Sequence, residues 1–251
     1  MSSSLAHGDA PDHGAHHPAL RHHFDTMGQQ KEAAVLGMWV FLLTEILFFG
    51  GLFMAYLLYR TWYFEAFARA SSTLSIFWGG LNTAVLIGSS LTMAMAVRGA
   101  QTNKRTATIN WLILTMVLGT VFLGVKVIEY ADKFEHHHVP GAHFVWAHEG
   151  EAAPSAAEAS SGAHDAAMMS AEQLQRTTQI YFSLYFTMTG LHALHMIVGI
   201  GLMLVITWMT WKGKFDSEYH TPVEMSGLYW HFVDIVWIFL FPLLYLVERH
   251  Q

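Results

Sequence analysis

Five long apolar runs dominate the chain, and they restrict its fold more than any other feature. They lie at about Ala33–Tyr59, Leu74–Val97, Ala107–Tyr130, Gln179–Trp211 and Val223–Val247. About 20 apolar residues in a helix cross roughly 30 Å of hydrocarbon, and each run is long enough. Inside a bilayer a backbone amide finds no water, so a spanning segment must satisfy its own hydrogen bonds as a helix. The expected fold class is therefore all-α, a polytopic bundle of five transmembrane helices. Charge agrees: only 13% of the 251 residues are Asp, Glu, Lys or Arg, against about 25% in an average soluble domain. Nearly all Lys and Arg fall between the runs. Aromatic residues gather at the ends of several, as with Tyr56, Tyr59, Trp62 and Tyr63, or Trp208 and Trp211. Such belts mark a membrane–water boundary.

The segments between the runs suggest an orientation. Arg21, Lys31, Arg98, Lys104, Arg105, Lys212 and Lys214 lie on one side, and Arg60, Arg69, Lys133, Arg176 and Arg249 on the other. Positive residues favour the cytoplasmic face, so the N-terminus is expected inside and the C-terminus outside. Residues 1–32 read as a His-rich cytoplasmic tail and 33–251 as the membrane domain. The tail lacks a positive start followed by an apolar stretch, so no signal peptide is expected and the mature chain should begin near Met1. A long extracytoplasmic connection is expected at about 131–178. Its Glu149–Ala167 portion, made of Ala, Ser, Glu and Gly, reads as a solvated linker. Ser170 with Glu172, Gln173 and Arg176 could cap one short helix before the fourth run.

Ionisable residues within a span are costly, so each is a candidate for function. Glu45 lies near the middle of the first run. It could relay protons, regulate or meet lipid, or it could be a neutral carboxyl bonded to a neighbouring helix. His192 and His195, three apart, share one helical face. They could hold a metal or ligate a haem, or simply hydrogen-bond between helices. The second reading is preferred because further ligands and acids are wanting. His231 and Asp234 read as a mutually satisfied pair and an interhelical clamp. Lys126 with Glu129 reads as an ion pair, and Asn82 as a polar contact between helices. Six His in residues 7–23 and the run His136–His138 could bind divalent metal weakly, although a solvated segment is the plainer reading. No metal site is assigned.

Several function classes are excluded. With no cysteine there is no disulfide, thiolate metal site or Cys nucleophile. A net charge of -6 gives no reason to expect nucleic acid. No Gly-rich phosphate loop is present, and no set of redox ligands is complete.

The polar residues and their neighbours resemble one family throughout the five runs: subunit III of cytochrome c oxidase and its relatives. WVFLLTEILFF at Trp39–Phe49 is similar to the family's signature helix, with its glutamate at Glu45. LNTAVL at Leu81–Leu86, Phe122-Leu123 with Glu129-Tyr130, and the exit ending in Val139-Pro140-Gly141 resemble the next two. YFTMTGLHALH at Tyr185–His195 resembles the fourth, and YWHFVDIVW at Tyr229–Trp237 is the most specific match. The mitochondrial form has seven helices. This chain resembles the five-helix bacterial form, and the family's lipid cleft, built with the two missing helices, does not transfer to it.

The resemblance implies a non-catalytic subunit of an aerobic respiratory haem–copper oxidase, in a bacterial inner membrane. Such a subunit packs on subunit I beside subunit II, holds structural phospholipid, and sustains proton uptake and turnover stability. It binds no haem or copper itself; those belong to partner subunits. Cytochrome c would be the electron donor, and a respiratory supercomplex is conceivable. Glu45 falls at the position that reacts with hydrophobic carbodiimides in relatives. His220 and Glu224 match the lipid-headgroup region, and His231 and Asp234 the final-helix motif. Two alternatives stand beside this: the equivalent subunit of a quinol oxidase or nitric-oxide-reducing relative, and a proton-coupled transporter using Glu45, His192 and Asp234. Quinol-oxidase forms replace the glutamate, which favours cytochrome c. The transporter reading lacks internal repeats and broken helices.

Overall fold

The computed structural model describes residues 18–135, 161–216 and 219–246, and these are helical almost throughout. Six helices follow in order: α1 (Met27–Trp62), α2 (Phe64–Ser72), α3 (Ile76–Gln101), α4 (Arg105–Glu135), α5 (Ser161–Trp211) and α6 (Thr221–Phe241). A π-helical turn, Pro242–Leu246, closes the last. Five of the helices are long and apolar enough to cross a membrane: all but α2. The chain is a multi-span membrane protein.

Local chemistry sets where the helices begin and turn. The Thr26 hydroxyl accepts from the Gln29 N–H at 3.2 Å and caps the start of α1, occupying a donor that the helix leaves open. Between α3 and α4 the chain reverses in a few residues, with Asn103 in the left-handed region at φ 55°. Asn tolerates that region because its short polar side chain bonds locally. Gly99 makes the reversal possible, since a Cβ there would lie 2.8 Å from the Thr108 hydroxyl. Gly213, at φ 71°, ends α5 in the same left-handed way.

α6 forms the centre. It is the most buried of the five spans, and α1, α3 and α5 all pack against it. Trp230 shows how: its ring wedges between Gly119 of α4 and Gly199 of α5, where a Cβ would come within 2.8 Å and 3.0 Å of ring carbons. Small residues admit a large neighbour at a helix interface. The indole N–H then donates to the Ser89 hydroxyl of α3 at 2.9 Å, so one side chain joins four helices. Trp237 repeats the device two turns on, donating to the Thr83 hydroxyl at 3.1 Å. By contrast α1 buries only Leu42, Phe49 and Tyr56, a single seam at seven-residue spacing. Met38, Leu52 and Phe53 pack partly against that seam, and most of its other apolar side chains face outward.

Two expectations need correction. Ser170 starts no separate short helix, because α5 runs unbroken from Ser161 through Trp211. The same continuity makes Ser161–Ala167 helical rather than linker. Ala-rich sequence is as compatible with helix as with a solvated loop, and here helix wins. At about 1.5 Å per residue, the 51 residues of α5 extend well past the hydrocarbon. The structure also adds α2, a nine-residue helix after the first aromatic belt, which buries Ala66, Phe67 and Ala70. Phe67 meets Tyr181 of α5 edge-on at 5.3 Å. The His136–His138 run, residues 149–160 and the start of the N-terminal tail lie outside the described residues.

Candidate functional site

Polar side chains in the spans form three groups at different depths. The first is at the middle of α1, where Glu45 Oε2 lies 3.2 Å from His195 Nε2 of α5. The other ring nitrogen, Nδ1, is 2.8 Å from the Leu191 carbonyl. A carbonyl only accepts, so Nδ1 carries a hydrogen and donates. Nε2 then bonds Glu45 in one of two ways. Either the carboxyl donates to a neutral ring, or an imidazolium donates to a carboxylate. One proton is shared in both cases, and in both the pair has no net charge. That is the form in which two ionisable groups can sit at mid-bilayer without the full cost of a buried charge. Phe49 shields the imidazole edge-on at 5.3 Å, and the Tyr229 hydroxyl donates to the His195 carbonyl at 3.0 Å. Both partners keep some exposure, with 17% and 19% of their side-chain surface open.

A second group fills the space between α4, α5 and the end of α6. Lys126 is 3% exposed and uses all three of its hydrogens. It donates to Glu129 Oε2 at 2.9 Å, to the Tyr245 hydroxyl at 2.8 Å and to the Tyr185 hydroxyl at 3.3 Å. Glu129 Oε1 in turn accepts from Tyr185 at 2.8 Å and from Tyr245. Four aromatic rings surround the ammonium, with the Trp237 centroid closest at 4.8 Å. A buried ion pair is favourable only when its remaining hydrogen-bonding capacity is also met, and this closed ring meets it. The i, i+3 pair expected from the sequence is thus one edge of a network spanning three helices. The tyrosines, 59 and 119 residues from Lys126, carry no signal in the sequence.

The third set departs from expectation. His192 is fully buried, yet neither ring nitrogen has a hydrogen-bond partner among the described residues. Its ring packs instead on Trp237 and Phe122, at 5.1 and 5.4 Å. His192 and His195 therefore serve different neighbours and do not converge on one ligand. Asn82 is fully buried with neither amide atom bonded among the described residues, so the expected polar contact between helices is not made there. Nor do His231 and Asp234 satisfy each other. His231 Nδ1 turns to the Ser90 hydroxyl of α3 at 2.7 Å, and the same hydroxyl is the one that serves the Asp234 carboxyl. The cross-helix hydroxyl gives a shorter, better-directed bond than a side chain three residues along the same helix.

At the end of the bundle nearest the N-terminus, Glu224 ties three helices together. It accepts from Gln101 Nε2 of α3 at 2.7 Å, meets Lys31 Nζ of α1 at 3.1 Å, and lies 3.2 Å from His220 Nε2. Lys31 also borders a shallow groove of about 440 Å³ on α1, with Gly28, Glu32, Val35, Leu36 and Trp39. Gln101 and Lys31 were not candidates from sequence, because nothing local distinguishes them from other interfacial residues. Among the described residues no three His, Asp or Glu side chains converge as a metal site would require.

The family described as Cytochrome c oxidase subunit III matches positions 167–248, which include most of α5 and all of α6. Over nearly the whole length the chain is similar to cytochrome c oxidase subunit 3 of Thermostichus vulcanus: 31% identical over 241 residues, covering 96% of this chain and 94% of the relative. The corresponding protein of Synechocystis sp. is 28% identical over 98% of this chain and 84% of its own. Cytochrome bo(3) ubiquinol oxidase subunit 3 of Pseudomonas aeruginosa is 28% identical over 85% and 84%.

Proposed function

The chain belongs to the cytochrome c oxidase subunit III family, and from that membership we propose that it supports an oxidase fed by cytochrome c, packing on the catalytic subunit I beside subunit II. Membership makes it part of an oxidoreductase complex, working with other oxidase subunits as a non-catalytic member. Haem and copper are assigned to the partners. The observation that carries the reading is similarity to an oxidase subunit 3 over 96% of the chain.

Its own residues contribute three things. The Glu45–His195 pair binds α1 to α5 near mid-bilayer. The Lys126 network makes the bundle a stiff wall for its partner. Lys31, paired with Glu224 beside His220, lies at a level suited to a phospholipid headgroup, next to the apolar Val35, Leu36 and Trp39. We assign structural phospholipid to that place, as the family resemblance implies: a polar rim and apolar surface beneath it match both halves of a lipid. The location is a bacterial inner membrane with the N-terminus in the cytoplasm, which the seven-to-five excess of Lys and Arg supports. Held in this way, subunit I keeps taking up protons over many turnovers.

The test is mass spectrometry of the mildly solubilised complex together with a donor assay. The expected result is this chain with the haem–copper subunits, and turnover on reduced cytochrome c. The Pseudomonas aeruginosa relative motivates the second reading, the equivalent subunit of a quinol oxidase. Turnover on quinol, but not on cytochrome c, would establish that reading instead.

A further inference from the structure

Two loops at the end of the bundle nearest the N-terminus are built alike. α3 closes on Asn103, left-handed, with the Lys104 N–H donating to the Gly99 carbonyl at 2.9 Å and the Asn103 N–H to that of Ala100 at 3.1 Å. α5 closes on Gly213, left-handed, with the Lys214 N–H donating to the Met209 carbonyl at 3.2 Å and the Gly213 N–H to that of Thr210 at 2.9 Å. This paired bonding ends a helix on a left-handed residue and fixes the residue that follows, a lysine in both cases. The loops also meet. A Cβ at Gly213 would lie 3.5 Å from an Arg105 guanidinium nitrogen, so Arg105 rests on the turn that carries Lys212 and Lys214.

Lys104, Arg105, Lys212 and Lys214 are all exposed, and none pairs with a carboxylate among the described residues. Asp216, two residues past Lys214, turns Oδ1 to the Tyr219 N–H at 2.7 Å. The C-termini of α3 and α5 offset part of the positive charge, but the N-terminus of α4, at Arg105, adds to it. Lys212 leans back over the Trp208 ring, its Nζ 3.8 Å from the centroid.

Depth decides which anion answers this charge. The spans Arg105–Phe134 and Gln173–Trp211 both end here, and the exposed Trp208 and Trp211 mark the membrane–water boundary beside the cations. One turn further into the bilayer along α5, Leu204 and Val205 face outward, 56% and 54% exposed. Clustered cations level with the headgroups, over apolar surface, match a lipid that carries net negative charge. We propose that the paired α3–α4 and α5–α6 loops form a seat for an anionic phospholipid, with its phosphate between Arg105 and Lys214 and its acyl chains along α5. The seat is separate from Lys31, whose charge Glu224 already meets, and it selects for headgroup charge.

The test uses the complex purified in mild detergent, stripped of lipid and titrated with phosphatidylglycerol or phosphatidylcholine, with bound lipid counted by native mass spectrometry. The unmodified complex is expected to bind phosphatidylglycerol several-fold more tightly than phosphatidylcholine. Arg105→Gln with Lys214→Gln should weaken phosphatidylglycerol several-fold and leave phosphatidylcholine unchanged. Arg105→Lys with Lys214→Arg, which keeps both charges, should preserve the tight binding. Arg69→Gln removes an exposed cation at the opposite end and should change neither lipid. If the double glutamine variant does not assemble, Lys214→Gln alone must still weaken phosphatidylglycerol. Equal affinities across these variants would overturn the seat, as would the same loss with Arg69→Gln. Inorganic phosphate binding there as tightly as the lipid would make it a free-anion site instead. A carbodiimide cross-link from Lys214 to a carboxylate on another polypeptide would overturn it in favour of a protein partner.

Discussion

Lys126 and Glu129 depend on each other more than any other ionisable residues in the spans. Removing one leaves the other buried without its counter-charge, a loss of about 3–5 kcal/mol in general. We expect Lys126→Met to lower the thermal midpoint of the detergent-solubilised complex sharply, and Lys126→Met with Glu129→Gln to lower it by less than the two single changes summed. Strict additivity in that cycle would show that the two side chains are not coupled. Glu45→Gln should behave differently. Glutamine can donate its amide N–H to Nε2 of a neutral His195 and brings no charge, so the complex should assemble, with at most a modest fall in turnover. Collapse of the complex on native gels would show that the carboxyl itself holds α1 in place. Asn82→Leu is expected to be neutral or stabilising, because it replaces an amide without partners by apolar volume. A clear fall in the midpoint would reveal a partner for the amide.

Among the elements, α6 is held by shape, and shape makes its own predictions. Gly119→Val would push a side chain into the Trp230 ring, where the space ends at 2.8 Å. Overpacking of this kind costs about 1–3 kcal/mol, and should appear as a lower midpoint and lost oxidase in the membrane. Gly51→Ala on α1 meets nothing within 4 Å and should leave both unchanged. The same contrast explains how far the sequence could be read. Twenty apolar residues in a row have one solution in a bilayer, so the five spans were legible. Nine residues of mixed character do not, and α2 was missed. So was the N-terminal extension of α5, whose Ala-rich composition fits loop and helix alike. Lys126 with Glu129 was legible because the spacing lies within one helix. Glu45 with His195, 150 residues apart, and His231 with Ser90, 141 apart, exist only once helices are packed. Asp234 and Asn82 lie within the spans, but that Asp234 meets Ser90 and that Asn82 has no partner among the described residues follow from packing that no periodicity encodes.

For the molecule as a whole, the outward faces matter as much as the core. α1 carries a continuous outward surface of Leu36, Trp39, Val40, Leu43, Ile46 and Leu47, and the α3–α6 side carries an apolar groove. A bundle with so much outward apolar surface is shaped to be surrounded. Oxidase stripped of this chain should therefore lose activity progressively, with a curved progress trace where the intact enzyme gives a straight one. A trace that stays linear in the stripped enzyme would count against the supporting role. The carbonyls near the end of α6 carry one more consequence. Tyr56 of α1 donates to the Leu243 carbonyl at 2.8 Å, and Tyr181 of α5 donates to that of Leu244 at 3.1 Å. Those bonds, like the Trp230 wedge, need the fifth span, which the ribosome delivers after the other four. Until then the Tyr56 and Tyr181 hydroxyls lack these acceptors, and the Ser89 and Thr83 hydroxyls lack their indole donors. Biogenesis must hold four inserted helices loosely enough to admit a fifth between them, and the bundle locks only when synthesis reaches the π-helical turn.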